Sequence, residues 1–501
     1  MSSAVRARDS GVTAPEGWSL VDRLFAPVSA ASVGLFRILF GALMAWHLSH
    51  FMPYVTQTLV NSKFFLTYDG FHWLHILPQP WMVALFWAML AACALVAAGL
   101  FYRIAIVVLW LGWTYTLLLC QGHYNNHSYL FSLLSFLLIF THANRWLSVD
   151  RAIGVKSAQP DVIPFWQLLL LRAQVFVVYF YAGIAKLGVD WLHGYPMKIW
   201  LAGKTHFPLI GGLLHTDAAA YLFSWGGLLF DLTMGFLLWS RRTRRWALVP
   251  LVAFHVTNSF FWRIGIFPWF MLAATSLFFE PDWPERLLAR VGIQGETRGA
   301  ARSARRARRD SAAAMDDRAA AQGGRTFAKS RLVVGFVCVY LVWQALFPLR
   351  HFLYSGATEW TGQGSFFAWR MLTVDRAEAV RVRVAIPGQG TVGYVQLDQY
   401  LNRTQFGKMN MAPWQYLRFA HFIRDEMRRN GGVENPEVYV DLKRRLNERP
   451  FQQVFDPEKN LAAVEYHDLG SADYILPLDP SLKPGTSPEW KEHLQRQLTA
   501  R

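Results

Sequence analysis

Nine apolar runs dominate this 501-residue chain: 31–51, 81–101, 104–120, 129–140, 165–186, 221–240, 246–262, 265–279 and 332–349. Hydrocarbon offers no hydrogen-bond partners, so a buried apolar run must satisfy its own backbone, as a helix does. A full crossing takes roughly 20 apolar residues. Most of the runs reach that length, and 129–140 and 265–279 fall short of it. Composition agrees, with 53% hydrophobic and 15% aromatic residues and only 17% charged, where a soluble chain carries about a quarter. The first run reads as a span rather than a cleaved leader, with no signal peptide before it.

The net charge of +16 would point to nucleic acid in a soluble protein. Here the basic residues sit in loops between apolar runs, so the positive-inside rule accounts for them, and the expected partner is membrane lipid rather than nucleic acid. A cytoplasmic N-terminus puts Arg103, the loop 145–156, the RRTRR cluster 241–245 and the tract 298–331 on the cytoplasmic side. That tract holds ten basic and three acidic residues among Ala, Gly and Ser. The expected organisation is a polar tail 1–17, a membrane domain 18–290, a basic linker 291–331, a last span 332–349 and a periplasmic or lumenal domain 350–501. The Arg- and Ala-rich composition suggests a bacterial inner membrane.

The last part changes character. VRVRVAI (380–386), a Gly-Gln-Gly turn and TVGYVQL predict a hairpin, the stretch 413–429 an amphipathic helix opened by Pro413, and VYVDL (438–442) another strand. The fold class is therefore a polytopic α-helical membrane protein, with about 8–9 transmembrane helices and a C-terminal extracytoplasmic α+β domain. Cys93, Cys120 and Cys338 all lie in apolar stretches and form no disulfide framework.

Polar residues in or beside the apolar runs carry the chemistry. Lys186 ends the run 165–186, where an ionisable group is a functional candidate; the alternative is a lysine snorkelling to the headgroups. Asn126 and His127 stand just where the fourth run starts, in the loop on the same outer face as Lys186. His255 and Asn258 are spaced by three and share a helix face, although one such residue is often a helix-packing contact. His47 and His50, His72 and His75, and His123 and His127 have spacings similar to the histidine boxes of membrane di-iron desaturases. The paired HxxHH box is absent, and no metal is expected. No P-loop, GxGxxG, GxSxG or HExxH motif appears.

Five stretches together resemble the vitamin K-dependent γ-glutamyl carboxylase family, whose membrane part is called the HTTM domain: YNNHSYLFSLL (124–134), VYFYAGIAKLGVDWLHGYPM (178–197), FHVTNSFFWRIGIFPW (254–269), EPDWP (280–284) and RPFQQVFDP (449–457). The resemblance implies a peptidyl-glutamate 4-carboxylase of the carbon–carbon lyase class, acting on a Glu-containing protein or peptide. Its cofactors would be vitamin K hydroquinone of the phylloquinone or menaquinone type, O2 and CO2, without metal or biotin. Lys186 would be the base on the hydroquinone, whose reaction with O2 yields a base strong enough to remove a glutamate γ-proton. The carbanion then takes up CO2 and the quinone leaves as its epoxide.

The same resemblance makes His127 catalytic, places Asn126, His255 and Asn258 in the active-site lining, and assigns Arg376 to the substrate glutamate. A solvated arginine at a strand start is the other reading of Arg376. Ala185 stands where animal members have a second lysine. No cysteine matches their lumenal disulfide, and their long C-terminal lobe is missing, so propeptide recognition stays open. Alternatives for the whole chain are a hydroquinone epoxidase or oxidase without carboxylation, or a non-catalytic HTTM membrane scaffold.

Overall fold

The computed structural model describes residues 19–158, 160–204, 206–262, 264–292, 323–388 and 391–492. The tail 1–17 and most of the linker 291–331 lie outside the described residues. After a short helix α1 (Leu20–Phe25), each of the nine apolar runs forms a helix. These are α2 (Ala31–Pro53, continued by a π turn Tyr54–Leu59), α3 (Gln79–Ala98), α4 (Tyr102–Leu119), α5 (Asn126–Ile139), α6 (Phe165–Ile184), α7 (Asp217–Trp239), α8 (Arg244–Trp262), α9 (Phe267–Thr275) and α10 (Gly323–Leu346). Six helical stretches are long and apolar enough to cross a membrane, those of α2, α3, α4, α6, α7 and α10. The shorter apolar stretches at α5 and α9 match the two runs that fall short in the sequence.

The basic loops gather at one end of the bundle. There the buried Arg37 donates from Nη1 to Val96 O at 2.6 Å and Ala97 O at 2.7 Å, and from Nη2 to Leu147 O at 2.6 Å. It thereby satisfies carbonyls that the end of α3 leaves without intrahelical partners. Arg103 donates to Ile139 O at 2.7 Å, and Arg241 and Arg244 face Glu280 at 3.4 and 3.5 Å. Strands β1 (Pro27–Ser29) and β2 (Val162–Pro164) pair antiparallel at this same end.

The C-terminal α+β unit sits at the opposite end. Its sheet has the order β4-β3-β5-β6, built from β3 (Arg376–Ile386), β4 (Thr391–Tyr394), β5 (Glu437–Leu446) and β6 (Gln452–Gln453), with every neighbouring pair antiparallel. The alternation Val438, Val440, Leu442, Arg444, Leu446 turns one face of β5 inward, as the two-residue period of a strand requires. Helix α12 (Gln415–Gly431) buries Tyr416, Phe419, Ala420 and Ile423, a spacing that gives a helix one apolar stripe. Before it, α11 (Arg403–Met411) opens with a capping box made by Asn402 and Gln405.

Polar contacts fasten this unit to the bundle. Gln405 Nε2 donates to Phe64 O at 2.8 Å, Gln415 Nε2 to Gln121 Oε1 at 2.5 Å, and Trp200 Nε1 to Asp375 Oδ1 at 2.8 Å. The strongest clasp is at Asp190, which follows α6 on the short helix Val189–Leu192. Arg449 grips both its oxygens at 2.6 and 2.8 Å, and Asn447 donates at 2.7 Å. Burial alone would raise the Asp190 carboxyl, but the Arg449 and Asn447 hydrogen bonds outweigh it and hold the group below its ordinary value. A carboxyl held low contributes stability that is complete above about pH 4 and is lost as pH falls through the folded-state value. Asp190→Ala is expected to cost about 2–3 kcal/mol at pH 7, read as a lower melting temperature and faster proteolysis at the domain junction. The difference from the parent protein should shrink in acid below about pH 4.

Candidate active site

The site is built where α6 ends against α7. A Cβ on Gly183 would lie 2.7 Å from Leu232 N, so only glycine permits this approach of the two helices, as small residues do in membrane interfaces. One turn later Lys186 Nζ donates to Asp231 Oδ2 of α7 at 2.7 Å and to Ala182 O at 3.1 Å. The ammonium also lies 5.3 Å from the centre of the Trp191 ring. Both charged side chains are buried, 8% and 7% exposed. An ammonium in such a place needs a counter-charge and hydrogen bonds to be tolerated.

The pair opens onto a cavity of about 790 Å3, within the range of small-molecule sites. Lys186, Asn126, His127, His255 and Asn258 all line it, so five of the six residues singled out in the sequence meet in one place. Phe223, Phe254 and Phe267 contribute aromatic walls. His127 touches the His47 ring edge-on, with centroids 5.7 Å apart, and its ring nitrogens form no hydrogen bond with the described residues. His255 Nε2 shares a proton with Tyr179 OH at 2.8 Å, while its Nδ1 is buried without a partner.

Arg370, Met371, Leu372, Lys408 and Met411 of the C-terminal part cover the cavity. Asn126 ties this cover to the bundle: its Nδ2 donates to Arg370 O at 3.2 Å, and its Oδ1 accepts from Tyr124 OH at 3.0 Å. The covering loop is strained. Phe367, Trp369 and Leu372 have φ of 58°, 58° and 51°, a region that costs non-glycine residues about 1–3 kcal/mol each and that persists at sites under functional constraint. Trp369, fully buried, stacks on Tyr129 with centroids 5.0 Å apart and so holds the loop in place.

Arg376 stands apart from the lining. Its guanidinium donates to Glu359 O at 3.0 and 3.3 Å. The histidine pairs of the sequence form no common ligand set among the described residues. The group that does bring three candidate ligand atoms together there is Asp69, His72 and Asp468, a strap between bundle and domain in which His72 Nε2 bonds Asp468 at 2.7 Å.

Two residues of the site escape the sequence reading. Asp231 had a visible signal, a lone carboxylate inside the apolar run 221–240, which is costly unless something uses it. Lys408 had none, because a lysine in a polar domain is unremarkable until the fold turns it over the cavity.

Together the bundle, its intramembrane ion pair and the domain that covers the cavity define a polytopic membrane protein with a small-molecule site shared between its two parts. Residues 25–283, just over half of the chain, match the model of the HTTM domain, and residues 329–481 match that of the vitamin K-dependent gamma-carboxylase lumenal domain. The chain belongs to the vitamin K-dependent gamma-carboxylase family. No solved structure matches it.

The ion pair gives a direct test. Removing one partner of a buried pair strands the other charge, whereas removing both strands neither. Asp231→Leu is expected to destabilise by about 3 kcal/mol, and the double variant Lys186→Met/Asp231→Leu to regain most of that. Thermal unfolding in a fixed detergent checks both.

Proposed function

We propose that this protein is an integral-membrane γ-glutamyl carboxylase, which oxidises a vitamin K hydroquinone with O2 and adds CO2 to glutamate of a protein or peptide. The observation that carries the reading is the meeting of the buried Lys186–Asp231 pair and His127 in one apolar cavity, beneath a domain of the family's lumenal type.

The lining suits a reduced quinone. Aromatic walls match a flat bicyclic ring, and Leu222, Gly226 and Ala253 line the cavity while being exposed on the outer surfaces of α7 and α8, so an isoprenoid tail has a path to lipid. When bound, the reduced quinone would supply, through its oxidation by O2, the strong base that makes removal of a glutamate γ-proton feasible.

Lys186 acts as base in its neutral-amine form beside the Asp231 carboxylate; taking a hydroxyl proton at Nζ generates the ammonium of the ion pair, whose charge Asp231 offsets. His127, whose ring nitrogens are free toward the cavity, orients the reacting oxygen or stabilises developing charge. Asn126 holds the covering loop shut through Arg370 O. His255, oriented by Tyr179, and Asn258 complete the polar side of the wall. The apolar lining excludes water, which would quench a strong base.

Arg376, expected at the substrate carboxylate, bonds Glu359 O and is not among the cavity-lining residues; in this reading its charge supports the cover. The domain 350–501 faces the periplasm or lumen in this reading, opposite the basic loops.

A paired assay tests the proposal. Purified protein in detergent receives vitamin K hydroquinone, O2, labelled bicarbonate and a short Glu peptide, and is compared with Lys186→Ala. Label in the peptide and stoichiometric epoxide are expected, both falling by about 10³-fold or more in the variant. Epoxide without label would support a quinol epoxidase instead, and neither product would leave the scaffold reading.

A further inference from the structure

The cavity contains a cation that the proposed mechanism does not use. Lys408 projects from α11, one turn after the capping residue Gln405, and its half-buried side chain lines the cavity beside Met411. It forms no ion pair or hydrogen bond with the described residues. The neighbouring cation Arg370 is by contrast paired with Glu359, and Arg376 is bonded to Glu359 O. Lys408 lies close enough to His127 and to Arg376 for their charges to interact. Burial, and next the Arg376 charge, push its ammonium down to about 8, so it remains mostly charged at neutral pH.

A half-buried ammonium within range of the Arg376 charge, with no carboxylate bonded to it among the described residues, is costly for the empty protein. The expense is explained if an anionic ligand completes the site. Lys186 already has Asp231 as its counter-charge, so the unsatisfied charge in the cavity is that of Lys408. We infer that Lys408 is the residue that binds the γ-carboxylate of the substrate glutamate, holding it on the His127 side of the cavity. The inference rests on the carboxylase reading and adds to it the group that recognises the substrate.

The chemistry asks for a cation in this place. The proton to be removed is on the carbon that bears the carboxylate, so its loss creates a second negative charge next to the first. The product carries two carboxylates on that carbon. An ammonium bonded to the carboxylate offsets the growing charge while fixing the carbon's position. Because Lys408 is carried by the C-terminal domain and Lys186 by the bundle, substrate recognition and base would come from the two halves of the chain, and docking of the halves would be a condition of turnover.

The test compares two blocked pentapeptides that differ only in one residue, glutamate or glutamine, on full-length protein in detergent. The readouts are peptide affinity by fluorescence anisotropy and label uptake. The parent protein should bind the glutamate peptide about 10- to 100-fold more tightly than the glutamine one. Lys408→Met should bring that ratio close to one, and Lys408→Arg should keep most of it. Lys408 has no ion-pair or side-chain hydrogen-bond partner among the described residues, so Lys408→Met strands none of them and its melting temperature should stay near the parent value. Should Lys408→Met misfold, Lys408→Arg and Lys408→Gln carry the comparison.

An unchanged glutamate preference in a folded Lys408 variant, with the parent protein still carboxylating, would overturn this inference alone. A parent protein that neither prefers nor labels the glutamate peptide would overturn the carboxylase reading with it.

Discussion

A lysine and an aspartate bonded at 2.7 Å inside a helical bundle set the terms for the rest of this structure. Neither charge is tolerable there alone. Gly183 brings α6 and α7 close enough for the bond, Trp191 faces the ammonium, and the C-terminal domain covers the cavity onto which the pair opens. The proposed chemistry would require such a cover, because water would quench a strong base. The clasp belongs to the same arrangement: Asp190 is only four residues beyond Lys186, and through Arg449 it anchors the domain close to the ion pair.

In the proposed reaction the two halves would have complementary tasks. The bundle would supply an apolar space that communicates with lipid, the proper solvent for a quinone, together with Lys186 and the histidines. The domain would supply a polar surface for a peptide and a cation over the cavity. A peptide cannot enter hydrocarbon with its backbone groups unsatisfied, and a quinone is poorly soluble in water. A site at the seam between the halves is the place where both can meet.

Much of this was legible in the sequence because it is local. Each apolar run became a helix, and the two short runs became the two short helices. Alternation in VRVRVAI and VYVDL fixed strands that pair with each other in β3 and β5. Lys186, His127, His255 and Asn258 stood out as polar residues in apolar surroundings, and the same cost that made them conspicuous drove them into one cavity. Asp231 carried that signal too.

The rest depends on long-range contacts that leave no local pattern. Asp190 and Arg449 are 259 residues apart, the strained φ values of Phe367, Trp369 and Leu372 fall on residue types that give no hint of a left-handed backbone, and Lys408 became part of the site only through domain docking. Arg376 is a further case: its bonds to Glu359 O follow from packing of the domain and have no signal in the local pattern of the strand start.

In the proposed function Lys186, acting on a reduced quinone, makes possible the removal of a glutamate γ-proton in this cavity. The most direct measurement of that removal is deuterium release from a peptide deuterated at the glutamate γ-carbon, with vitamin K hydroquinone and O2 supplied and CO2 withheld. Release is expected from the parent protein, with none when the hydroquinone is omitted and none from Lys186→Ala. Release without the hydroquinone, or undiminished release from Lys186→Ala, would contradict the proposed function.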